Sequence, residues 1–252
     1  MEAMAEGKVR RLEEEVRRKE KLAAVGNLAA GVAHEIRNPL SSIKGYATYF
    51  GQRFPDGSED REAANVMVHE VDRLNRVIMD LIGLSRPSDV NPRPVSLKAV
   101  VDHVTRLIHQ DAEKRGVKIV CRAPRREPQA VADPERMGQA LLNLCLNALD
   151  AMPDGGQLTL AVVERKGRVC LMVRDNGKGI EPAQLPHIFD PYFTTKGQGT
   201  GLGLAMVHKI VEAHDGEIEV VSRPAQAGRR GETTFSVWLP RAQAPKAAKG
   251  EA

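Results

Sequence analysis

The prolines at 87, 92 and 94 divide the chain into two stretches whose hydrophobic residues repeat with different periods. A helix places its apolar residues three and four apart, and a half-buried strand places them every second position, so a change of period marks a change of architecture. Before the prolines only the helical spacing occurs. Val9, Leu12, Val16, Ala23 and Gly26 follow steps of three and four, interrupted at Lys19, with Arg, Glu and Lys between them. That pattern predicts a short coiled coil over residues 1–22. The helical pattern continues to about Phe50, with a kink expected at Pro39, which removes one hydrogen bond. Pro55, Asp56 and Gly57 predict a turn within 51–60, and Met67, Val71, Leu74, Ile78 and Leu81 form the apolar seam of a second helix. One hairpin cannot bury both seams well. Two hairpins paired in a four-helix bundle can, so residues 23–86 are expected to form a hairpin that makes a homodimer.

Beyond a linker at 87–96 the pattern mixes. Leu97 to Lys114 predicts a helix, Val117 to Cys121 a strand, and Asp133 to Met152 an apolar helix capped by Asp133 with Pro134 in its first turn. Gln157 to Glu164 and Arg168 to Arg174 alternate as strands around a turn at Lys166-Gly167. Gly203 to His214 predicts a helix, and Glu217 to Val221 with Thr233 to Leu239 close a sheet. The expected fold is therefore an all-α helical hairpin followed by an α/β sandwich domain over residues 97–241, with a disordered Ala/Lys-rich tail at 242–252.

Composition excludes several function classes. Aromatics make up 4% and are not interleaved with basic residues, and the net charge of +4 is scattered or gathered in short pairs such as Arg125-Arg126, so nucleic-acid binding is not expected. Cys121, Cys145 and Cys170 lack the paired spacing of a zinc site or disulfide framework, which leaves reduced thiols of a cytosolic protein as the default. The charge-free stretch from Leu22 to Ala33 is far short of the ~20 residues that span a bilayer.

Among seven histidines, His34 stands apart because of its neighbours; the other six read as surface or packing residues. An imidazole attacks phosphorus through an unprotonated nitrogen, so its other nitrogen must be held as an N–H donor. Glu35 can accept that hydrogen bond and act as a base. Asn38, four residues on, falls on the same helical face, where a short amide can orient a water or a phosphoryl group.

Asn143 and Asn147 share a face of the apolar run LLNLCLNAL, where unpaired amides are costly. Two such residues fit core hydrogen bonding as well as a site; in the second case the Asn147 oxygen can ligate Mg²⁺. Asp175 in DNGKGI can accept the exocyclic amine of adenine, where guanine would present a carbonyl, although DNGKGI also fits a plain turn. Gly177 and Gly179 let backbone approach closely. Gly199, Thr200, Gly201, Leu202 and Gly203 in GTGLGL precede a helix, and backbone N–H groups at a helix start suit phosphates. A dinucleotide-binding reading of these glycines fails for want of a βαβ setting and a downstream acidic residue. Between the glycine segments, IFDPYFTTK offers Phe189 and Phe193 as anchors, Lys196 as a phosphate contact, and residues 197–200 as a lid.

Taken in order, AHEIRNPL, NLCLNA, DNGKGI, IFDPYFTTK and GTGLGL resemble bacterial two-component sensor histidine kinases over residues 10–240. The last four segments resemble the ATP-binding fold that those kinases share with the Hsp90 chaperone, type II topoisomerases and MutL proteins. The resemblance implies transfer of the γ-phosphoryl of Mg·ATP to His34 and on to an aspartate of a response regulator. Glu35 would then serve autophosphorylation and Asn38 a phosphatase activity. It also implies a cytoplasmic location, with any membrane attachment through segments outside this chain. HEIRNPLSSIKG is most similar to membrane sensors that feed sigma-54-type activators. One departure stands out: many relatives carry a basic residue three positions after the second asparagine, and here that position is Asp150, so phosphate charge must fall on Lys196, Mg²⁺ and backbone amides. The alternatives are a protein acting chiefly as a phosphatase of its regulator, a nucleotide-gated switch of the Hsp90 or MutL kind, and a binding-only scaffold.

Overall fold

The computed structural model describes residues 36, 38–85, 90–124, 128–196, 199–226 and 228–242, with side chains 73 and 76–85 excepted. The coiled coil expected over 1–22, His34, Glu35 and most of the 242–252 tail lie outside the described residues. The chain divides into two units, Met1–Pro87 and Ser88–Ala252.

In the first unit, helix α1 (residues 38–51) turns back through Pro55 and Gly57 into α2, Glu59–Ser85. Gly57 takes a positive φ of 79° at the bend, and Ser58 caps α2 by accepting the Arg61 N–H at 3.3 Å. Glu59, Asp60 and Glu62 complement the positive end of the α2 dipole. Among the described residues of this unit, Leu40, Ala47, Gly51, Ala64 and Val71 are buried. Lys44 donates to Asp72 across the pair at 2.6 Å. Ile43, Tyr46, Tyr49, Phe50, Met67 and Leu74 remain exposed on the single hairpin.

The second unit is a two-layer sandwich. Strands β2 (Val117–Arg122), β4 (Gly156–Arg165), β5 (Arg168–Asp175), β6 (Glu217–Arg223) and β7 (Glu232–Pro240) form a five-stranded sheet in the order β2-β4-β5-β7-β6. Only the β2–β4 pairing is parallel. Helices α3 (Leu97–Lys114), α4 (Pro134–Asp150) and α5 (Gly203–Glu212) supply the other layer. The core forms where Val104 and Ile108 of α3, Leu141 and Leu144 of α4, and Met206 and Val207 of α5 meet Leu158, Leu171 and Val237 from the sheet. Strict alternation along β7 buries Thr233, Phe235, Val237 and Leu239 and turns the residues between them outward.

The stretch read as linker contains a strand. Arg93–Ser96 form β1, which pairs antiparallel with β3 (Gln129–Ala132) in a separate two-stranded sheet. Ser96 then caps α3 by accepting the Ala99 N–H at 3.3 Å. Asp133 caps α4, accepting from Glu135 and Arg136, and Pro134 fills the first turn. Burial pushes the Asp133 carboxyl up, but the N–H groups of Asn91, Arg136 and Glu135, with His214 nearby, outweigh that and hold it below the ordinary range. His214, 3% exposed, ties this cap to α5: its Nδ1–H donates to the Ile210 carbonyl at 2.6 Å, so Nε2 accepts the Asp133 N–H at 2.9 Å.

Candidate functional site

The motif segments of the second unit converge on α4. Its outer face carries Asn143 and Asn147, both half-buried, while Leu141, Leu144, Cys145, Ala148 and Leu149 take the inner face. Asn143 Nδ2 donates to the Met206 thioether on α5 at 3.7 Å, a weak acceptor. Gly203 opens α5 directly opposite, where an added Cβ would stand 3.9 Å from the Asn143 amide carbon.

Asp175 ends β5 and is 3% exposed. Its Oδ1 accepts the Gly177 N–H at 2.9 Å, and among the described residues no cation pairs with it. Burial pushes this carboxyl up to about 6; the Gly177 N–H works against that, and the nearby charge of Glu232 adds to it. A buried acceptor so poorly compensated suits a ligand that brings a donor, which an adenine amine does.

The loop after Asp175 is stapled on both sides. Lys178 donates its N–H to the Ala151 carbonyl at the end of α4 at 3.0 Å, and its own carbonyl accepts from Ala225 at 2.8 Å. Ile180 N–H reaches Ser222 Oγ at 2.9 Å. Gly179 sits at a φ of 73°, and a Cβ there would collide with the Arg223 carbonyl. The close approach demanded of this glycine is thus to the chain's own backbone. Gly201 is similar, with a φ of 67° and its carbonyl accepting the Tyr192 N–H at 3.0 Å.

Phe189 lies against His208 of α5 at 5.4 Å and Phe235 of β7 at 6.4 Å between ring centroids, and Phe193 lies against His187 at 5.9 Å. These contacts bring the segment that follows back to α4. There Lys196 Nζ donates to Asn147 Oδ1 at 3.1 Å and to Asp150 Oδ2 at 2.8 Å. Arg115, the cap residue of α3, holds the other Asp150 oxygen at 2.8 Å. Burial raises the Asp150 carboxyl, yet Lys196 and Arg115 together outweigh burial and hold it below the ordinary range. An ammonium therefore already rests on the asparagine oxygen expected to ligate a metal, so this oxygen pair accepts a cation. One amide oxygen with substrate phosphates is a fitting donor set for Mg²⁺, which keeps oxygen ligands and several waters.

Gly199 N–H donates to the Lys196 carbonyl at 3.2 Å, and Thr200 Oγ1 accepts the Leu202 N–H at 3.3 Å. Leu202 is buried at the N-cap of α5, and among the described residues no side chain caps the helix there, which leaves its first N–H groups available to an anion. Gly197 lies outside the described residues. In the first unit Asn38 is helical and exposed. Sequence reasoning missed Arg115 and Met206. Nothing local flags Arg115, whereas Met206 follows GTGLGL at helical spacing from Gly203.

Two domain families match the chain: the His Kinase A (phospho-acceptor) domain over residues 24–89, and the histidine kinase-, DNA gyrase B- and HSP90-like ATPase over residues 132–243. The chain is 48% identical over 229 residues to sensor histidine kinase ZraS of Escherichia coli (strain K12), covering 91% of this chain and 48% of that protein. It spans about half the length of the curated relatives it matches. Among solved structures, full-length ShkA in complex with AMPPNP matches with a TM-score of 0.70 at 26% identity, over 87% of this chain and 47% of that one. Histidine kinase ThkA in complex with response regulator protein TrrA matches with a TM-score of 0.61 at 26% identity, over 91% of this chain and 66% of that one. A phospho-acceptor domain has no place in the Hsp90 or MutL reading. With that domain, the ATPase fold and these relatives together, the chain belongs to the sensor histidine kinase family.

Proposed function

We propose that this chain is the catalytic part of an ATP-dependent protein-histidine kinase that works as a homodimer. The observation that carries the reading is the Lys196 ammonium seated on Asn147 Oδ1, which joins two motif segments 49 residues apart at the atom a phosphate-bound cation would occupy. Asp175 accepts the adenine amine, the α5 N-terminus and Lys196 face the phosphates, and Asn143 and Asn147 line the wall between them. Mg²⁺, held by Asn147 and the phosphates, would neutralise the charge of the transferring group.

A neutral His34 nitrogen forms a bond to the γ-phosphorus as the bond to the β,γ-bridging oxygen breaks and ADP departs with that electron pair. Glu35 accepts the N–H of the other ring nitrogen and fixes the tautomer. An aspartate oxygen of a response regulator then takes the phosphoryl group and histidine leaves. Asn38, exposed on α1 four residues along from His34, is positioned by sequence to orient a water that attacks the aspartyl phosphate of the regulator, releasing inorganic phosphate and restoring the aspartate. The exposed apolar residues of the hairpin support dimerisation. The resemblance to sensors that feed sigma-54-type activators supports a regulator of that class.

The test is a chase. The chain is labelled with γ-labelled Mg·ATP, freed of nucleotide and mixed with a receiver domain. Label should leave the chain and appear on the receiver, and His34→Gln should abolish both steps. Label that never leaves the chain, or that reaches the receiver equally from His34→Gln, contradicts the proposal.

A further inference from the structure

Resting on the reading of Asn147 as the Mg²⁺ ligand, we propose that Asp150 is a positioning residue that holds Lys196 on the Asn147 oxygen, as a resident cation that Mg²⁺ must displace. Lys196 Nζ donates to Asn147 Oδ1 at 3.1 Å and to Asp150 Oδ2 at 2.8 Å, so a single ammonium bridges both oxygens. Asp150 is not free to follow the lysine, because Arg115 grips its other oxygen at 2.8 Å from the end of α3. Asn147 and Asp150 are three residues apart on α4, which puts both acceptors on the same face of a rigid helix. Lys196 sits in the segment between Phe193 and Gly199, and its own N–H is turned onto Thr194 Oγ1 at 3.1 Å.

Two consequences follow. An ammonium 3.1 Å from the Asn147 oxygen repels a divalent cation seated on that same oxygen, so arrival of the metal frees Lys196 for the phosphates. Nucleotide without metal finds the lysine engaged on Asn147 and Asp150, and binds poorly. Asp150 thereby makes productive binding depend on the metal and the nucleotide arriving together.

The experiment is a double-mutant cycle on the full chain, reading the affinity of a fluorescent, non-hydrolysable ATP analogue in excess EDTA and again in saturating Mg²⁺. In EDTA, Asp150→Asn should tighten binding about fivefold, the scale of one half-exposed ion pair. In a Lys196→Met background the same substitution should change affinity by less than about twofold, and a Lys196→Arg background should restore the coupling. In Mg²⁺ the wild type and Asp150→Asn should converge, which also shows that each variant has a folded site. An equal gain in both backgrounds would mean that Asp150 acts by charge alone, and no gain would mean that it does not hold the lysine; either overturns the proposal. Asn147→Ala reports separately on the underlying reading: Mg²⁺-dependent tightening disappears if Asn147 holds the metal and survives if it does not, whatever the cycle returns.

Discussion

Asp175 and Gly177 form a two-residue loop closure in which the buried carboxylate takes the glycine N–H at 2.9 Å. That one bond leaves the charge undercompensated, and the carboxyl rises from its ordinary 3.8 to about 6. Asp175→Asn keeps an oxygen for Gly177 and turns an NH₂ toward the site, where it opposes the adenine amine. Nucleotide-free protein should therefore gain stability at pH 7, by up to about 3 kcal/mol, while affinity for ATP falls about tenfold or more. Thermal unfolding and equilibrium nucleotide binding on the same samples check both signs.

The pH dependence follows from the same group. Its folded value lies above its unfolded value, so the folded chain binds the proton more tightly and the charged form is a penalty. That penalty is absent below about pH 4, grows as pH rises through about 6, and is complete above it. Denaturant unfolding of wild type against Asp175→Asn should show the difference between them vanish near pH 4. ATP affinity should run the other way, rising as pH increases through about 6 and the carboxylate becomes a full acceptor.

His214 links two helices by bonds in opposite directions, donating to Ile210 and accepting from Asp133. His214→Ala removes a buried ring and leaves the Asp133 N–H without its acceptor. A loss of about 2–4 kcal/mol in urea unfolding is expected. His214→Gln, which can reach one partner, should lose less.

Local signals were legible where they act over a few residues. Asp133 followed by Pro134 reads as a capped helix start and is one. Lys166-Gly167 reads as a hairpin turn, and both residues have positive φ, 50° and 74°. The β1–β3 pair was not legible, because two strands of four residues, one of them containing Pro94, carry no detectable alternation and pair residues distant in sequence, Arg93 with Ala132 and Ser96 with Gln129. Nor was the parallel register of Val117 against Gly156, which depends on how α3 and α4 pack. In the site, the asparagines, Asp175 and the glycines announce themselves by residue type, whereas the Arg115–Asp150–Lys196 chain joins positions 35 and 46 residues apart that no periodicity connects. Asp150 was visible as a departure from related sequences; its partners were visible only in three dimensions.

Gly179→Ala tests whether the loop after Asp175 is held by its own backbone. A φ of 73° and the crowding of the Arg223 carbonyl leave no room for a methyl group. The variant should lose about 2 kcal/mol or more and bind nucleotide weakly even when folded. Wild-type affinity in this variant would show that the loop tolerates displacement.

On the hairpin, Met67 and Leu74 expose apolar surface at 49% and 42%. Glutamate at both positions should convert a dimer to a monomer in sedimentation equilibrium, without loss of nucleotide binding by the other unit.

The most direct measurement is the chemistry and position of the label after incubation with γ-labelled Mg·ATP, with wild type beside His34→Gln. The account predicts a label on wild type that survives base, is lost in acid and maps to the peptide containing His34, and no label on His34→Gln although it still binds ATP. An acid-stable label, an equal label on His34→Gln, or no label on wild-type protein that binds ATP would contradict it.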